Sequence, residues 1–113
     1  MPIISNFPGG SGSGGGGLAL AAASNIKVLT ASGKVYVKWT DPEDMVVGDA
    51  TLATWAGTVL VRKAGSKPTS RRDGTIVLDS KERDKYKTAY FCDSGLTNGV
   101  EYFYKLFPYS TSN

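Results

Sequence analysis

From Lys34 to Thr40 the chain alternates strictly, with Val35, Val37 and Trp39 at one parity and Lys34, Tyr36, Lys38 and Thr40 at the other. A segment patterned this way buries its apolar side only as a β-strand with one solvent face. Asp41-Pro42 stops it, since proline has no N–H to give a sheet. Further short strands are expected at Ile26 to Thr30, Thr58 to Lys63, Thr75 to Asp79, Ala89 to Asp93 and Val100 to Phe107. Turn signals stand between several of them: Ala31-Ser32-Gly33, Asp73-Gly74 and Asn98-Gly99. Six strands so punctuated predict an all-β antiparallel sandwich. The one helical candidate, Ser80 to Lys87, is too short and too charged to matter to a core.

The alternation does not extend to the N-terminus. Seven of the 14 glycines fall in the first 17 residues, and all 23 charged side chains lie between Lys27 and Lys105. Residues 1–24 therefore read as an uncharged, glycine-rich tail and residues 25–113 as the folded body. Gly and Ser lose much entropy on ordering and offer little area in return, so a flexible tether is one reading of the tail. In the other, Ile3, Ile4 and Phe7 plug a pocket on a larger assembly.

Composition narrows the chemistry. With no His and Cys92 alone, the chain cannot build an imidazole-based triad, a Cys/His zinc site or an intrachain disulfide. No catalytic set, cofactor site or metal site is expected. Asp41, Glu43, Asp44 and Asp49 lack the ligand alternation of a calcium loop and read as a solvated acidic loop. Cys92 reads as a small buried hydrophobe. The formal charge of +3 is too small to argue for nucleic acid, and no apolar run approaches the length of a membrane helix. Phe103 and Phe107 share the face opposite Tyr102, Tyr104 and Leu106; with Tyr109 they form either a second packed face or an apolar contact surface toward a partner.

Two local patterns carry a resemblance. Val35-x-Val37-x-Trp39-x-Asp41-Pro42 delivers a large aromatic just before a Pro-stopped loop. In Leu96-Thr97-Asn98-Gly99-Val100-Glu101-Tyr102, a turn precedes a Tyr placed to return its hydroxyl to upstream backbone. With Trp39, Pro42, Leu96, Gly99, Tyr102 and Tyr104 as carriers, residues 25–113 resemble the fibronectin type III family. They depart from it in the long Pro42 to Gly57 segment, which carries Trp55, and in lacking the family's last strand. The resemblance thus leaves the Val100 to Phe107 strand an open edge, to be completed by a neighbour's strand or by this chain's own N-terminal segment.

The sequence from PIISNFPGG through VYVKWTDPED to DSGL and YFYKLFPY also resembles small fibronectin type III-like tail or virion proteins of phages and prophages of gut Firmicutes. That implies a structural, non-enzymatic component of a phage particle at a tail tip, at a fibre or on the capsid. Its N-terminal tail would dock and its sandwich would face outward. The expected partners are other virion proteins, copies of itself and a host surface glycan, with no nucleic acid and no membrane insertion. The alternative is an extracellular bacterial carbohydrate-binding or spacer module, with Tyr36 and Trp55 as the sugar-stacking platform.

Overall fold

A computed structural model describes residues 1–4 and 20–111, and among them there are strands and turns but no helix. In chain order the strands are β1 (Ile3–Ile4), β2 (Ser24–Ala31), β3 (Lys34–Thr40), β4 (Met45–Val47) and β5 (Ala50–Ala53). They continue with β6 (Trp55–Ala64), β7 (Thr75–Ser80), β8 (Phe91–Asp93) and β9 (Glu101–Ser110). One sheet runs β1-β9-β6-β7 and a second runs β2-β3-β8. Every pairing is antiparallel except β1 with β9.

All six expected strands are present, with ends displaced by a few residues. The long segment after Pro42 is not a plain loop. It folds into the β4-β5 hairpin, in which Val47 faces Ala50 and the turn takes Gly48 at φ 58. Its apolar residues were legible, but too few in a row for a strand to be expected. Ser80 ends β7, and the residues after it as far as Lys87 form bends and turns, with Asp84 at φ 59.

Inward parity places Val35, Val37 and Trp39 of one sheet against Leu60, Tyr104 and Leu106 of the other, with Ala23 and Leu96 closing the ends. Removing side chains of this size from water contributes roughly 1.5–3 kcal/mol apiece, so these few residues supply most of the drive to pack the sheets together. Packing also reaches back before Asn25, because Leu20 is buried with Ala53 and Trp55 in a second cluster.

Parity also corrects the reading of Cys92. In β8, Phe91 lies opposite Val37 and Asp93 opposite Val35, so these two face the core; Cys92 lies opposite Tyr36 and is exposed. A buried Asp93 was not expected from the apolar look of that strand, yet its carboxylate has partners waiting inside.

Asp41 is the second surprise. It is buried, with only 5% of its surface accessible, rather than part of a solvated loop. Its Oδ1 accepts from Trp39 Nε1 and Thr58 Oγ1, both at 2.8 Å, and its Oδ2 accepts from the Asp84 N–H at 2.8 Å. The Asp41 N–H in turn donates to Asp84 Oδ1 at 3.0 Å, and Trp55 Nε1 donates to Thr58 Oγ1 at 2.9 Å. One carboxylate thereby ties the end of β3, the middle of β6 and the turn before β8. Replacing it by alanine strands several buried donors, each worth about 1–3 kcal/mol when unpaired. Asp41→Ala is expected to lower the unfolding free energy by about 3 kcal/mol in a urea titration, with Asp41→Asn losing less because its amide oxygen still accepts.

Candidate functional site

The first four residues form the most distinctive contact on the molecule. Ile3 and Ile4 lie parallel to the start of β9, opposite Glu101 and Tyr102. The Ile3 N–H donates to the Val100 carbonyl at 3.0 Å, and the Gly99 N–H donates to the Met1 carbonyl at 3.1 Å. Pro2 is buried, Ile4 packs on the main core, and Ile3 leaves about half its surface (49%) in solvent. Of the two ways to complete the β9 edge, the chain therefore uses its own N-terminal segment at this end of the strand.

The seat for that segment is firmly built. Gly99 takes φ 83 in the turn before β9, and Thr97 N–H donates to Tyr102 Oη at 2.9 Å. Asn98 Oδ1 accepts from the Gly33 N–H at 2.8 Å and its Nδ2 donates to Ser32 Oγ at 3.0 Å, fastening the turn to the β2-β3 turn of the opposite sheet. Beneath it, Arg62 Nη1 reaches both Asp93 oxygens at 2.8 and 2.9 Å, and Tyr104 Oη donates to Asp93 Oδ2 at 2.6 Å. Burial, then the hydrogen bond to Asp93, holds the Tyr104 phenol far above its ordinary range. Burial works to discharge Arg62, but its hydrogen bond and charge attraction to Asp93 outweigh that and hold its pKa up. Its guanidinium also stands 5.9 Å from the Tyr102 ring centre.

The opposite face of the four-stranded sheet is packed, not open. Val59, Val61 and Phe107 form a small core there with Tyr109 against it. Lys105 and Arg71 stand over the Phe107 and Tyr109 rings at 5.3 and 5.2 Å. Tyr109 Oη donates to Asp79 at 2.7 Å, and its phenol is pushed up to about 12 by burial and by that bond. The ring lies so close over Gly57 that a Cβ there would strike it.

The connection from β6 to β7 is pinned by Asp73. Its Oδ1 accepts from Lys63 Nζ at 2.8 Å, and its Oδ2 accepts from the Thr69 N–H and hydroxyl at 2.9 and 3.0 Å.

The expected site residues thus separate. Ile3 and Ile4 lie along β9 of their own chain. Phe7 lies outside the described residues. Phe107 keeps only 9% of its surface and Phe103 and Tyr109 are half-buried, so these three are not an open apolar patch; lysine, arginine and the β6-β7 connection cover what the sheet leaves. Trp55 is 7% exposed, on β6 beneath Arg83, while Tyr36 is on β3 of the other sheet; they do not form one stacking platform. Asp44 is already engaged by the Trp55 N–H at 2.9 Å and by Arg83, and both lower its pKa, the backbone bond more. Among the described residues no cluster of His, Cys, Asp and Glu is arranged for a metal ion. The sequence does not mark Arg62, Asp93 and Asp41 as organising groups; the shared parity of Asp93 with Phe91 is the signal it offers.

No protein-family model matches the chain, and no curated protein or solved structure matches it.

The Asp73 pin sets an acid limit. Hydrogen bonds from Lys63 first, then Thr69, hold its carboxyl down at about 2. A depressed pKa favours the folded state at neutral pH, and that contribution disappears as pH falls through the ordinary carboxylate range to about 2. Stability measured against pH is expected to fall more steeply between about pH 4 and pH 2 in the wild type than in Asp73→Asn.

Proposed function

We propose that this chain is a non-enzymatic structural and binding module of a phage particle, a fibronectin type III-like sandwich that joins its surroundings through its N-terminal segment. The single observation that carries the reading is the parallel seating of Met1 to Ile4 on β9. A bare tether has no use for two β-branched residues, a buried proline and a shaped edge; a strand that docks does.

The sheet orders support the fold half of the proposal. β2-β3-β8 follows the A-B-E order of an immunoglobulin-type sandwich, and β7-β6-β9 follows C′-C-F. β1 stands beside β9 where that architecture places its G strand. The Thr97 to Tyr102 hydrogen bond has the form of a tyrosine corner, a hydroxyl near the start of strand F held to backbone upstream.

The connection supports the assembly half. Ile4 sits opposite Tyr102, whereas Leu20 packs on Trp55, which faces Ser110 at the far end of β9. Eight residues of strand separate those points, about 26 Å. Residues 5–19 number fifteen and could span about 50 Å if extended, so the same length permits seating on an adjacent copy. In a virion, where copies are crowded, strand exchange would link neighbours without any new surface.

Light scattering on the full chain at rising concentration is expected to reveal a discrete oligomer. Ile4→Asp, which buries a charge in the seat, should return the protein to monomer with its near-UV circular dichroism retained. A monomer at every concentration, in wild type and variant alike, sinks the assembly role.

A further inference from the structure

The outer face of β2-β3-β8 carries a charge arrangement that the fold itself does not use. Pairing puts Lys27 directly opposite Lys38, Leu29 opposite Tyr36, and Tyr36 opposite Cys92, all on the face away from the core. Lys34 stands two residues before Tyr36 and Lys38 two after it, so along β3 the face reads lysine, tyrosine, lysine at about 6.6 Å spacing. Leu29 is 53% exposed beside that tyrosine. Like charges directly across a strand pair destabilise a sheet. Among the described residues none of the three lysines has a carboxylate within ion-pair distance. The Lys38 ammonium stands 4.8 Å from the centre of the Tyr90 ring. No acidic side chain shares the paired face, since Asp93 points into the core.

We infer that this face binds an anionic polysaccharide, with Lys27, Lys34 and Lys38 meeting its acid groups and Leu29 with Tyr36 meeting the apolar faces of its sugar rings. The charge pattern selects a polyanion, because an approaching row of negative groups relieves the Lys27–Lys38 repulsion that the protein alone leaves standing. The rings select a sugar over single-stranded nucleic acid. Stacked bases need a succession of open aromatic platforms, whereas Tyr36 and Tyr90 meet edge to face, at 86° and 6.5 Å. A pyranose needs only one apolar spot between charges, which Leu29 and Tyr36 provide. This inference rests on the reading of the sandwich as a displayed binding module, and it moves the contact face away from Trp55.

Affinity electrophoresis of the full chain through gels containing polygalacturonate, neutral dextran or an oligothymidylate tests it, with oligomeric state recorded on the same samples. Retardation by polygalacturonate and not by dextran is expected, weakening with added salt. The triple variant Lys27→Gln, Lys34→Gln, Lys38→Gln should bind about ten-fold more weakly or worse, and Tyr36→Ala several-fold more weakly. Lys27→Glu supplies the internal control: it should lose binding while raising the melting temperature, because it turns a repulsive cross-strand pair into an attractive one. The inference is overturned if polygalacturonate does not retard the protein, if the triple variant binds as the wild type does, or if the oligothymidylate binds as tightly at equal charge. None of those results touches the oligomer, whose loss in Ile4→Asp is read separately.

Discussion

A single buried carboxylate holds the two halves of this molecule in register. Hydrophobic contact between the sheets is strong but non-directional, and it would tolerate some sliding of one sheet over the other. Asp41 removes that freedom, because its oxygens take an indole N–H from the end of β3, a hydroxyl from β6 and a backbone N–H from the turn before β8. Three donors converge on a group that water can no longer serve, so only one relative placement of the strands satisfies all of them. Trp55 is drawn into the same arrangement through Thr58, and the hairpin that follows Pro42 is thereby anchored to the sandwich.

At the far end a second acid does a similar task by different means. Asp93 sits between Arg62, on the interior strand β6, and the buried Tyr104, so that charge neutralisation and hydrogen bonding coincide. The turn above it is clasped to the β2-β3 turn by Asn98. The N-terminal strand thus lands on the best-braced corner of the fold, which explains how a contact of two residues can be defined at all.

Alternation made the body of the protein legible. Val35, Val37 and Trp39 could belong only to a one-sided strand, and Leu106 follows the same rule. What alternation could not convey is which polar residues turn inward, because a buried Asp is credible only once its partners are known to be within reach. That is why Asp41 read as solvated and Cys92 as buried, when Asp93 beside it holds the inward place. The aromatic residues misled for a related reason. Tyr109 and Trp55 look available in the sequence, but Arg71 of the β6-β7 connection and Arg83 stand over them, and coverage by a distant segment leaves no local trace. Completion of the β9 edge was foreseeable as a need, and Ile3 and Ile4 as the spare apolar residues, but the parallel direction was not.

The burial of Leu20 separates two notions of a boundary that composition had merged. Charge begins at Lys27, yet Leu20 is already buried and Ala23 belongs to the main core, and Pro2 and Ile4 are packed as well. A recombinant body started at Asn25 would expose the side of Trp55 and Ala53 that Leu20 shields, leaving a sticky flank at the base of the hairpin. Any excision, fusion or display of this sandwich that starts after the glycines should therefore retain Leu20, and it gives up the contacts of Pro2 and Ile4.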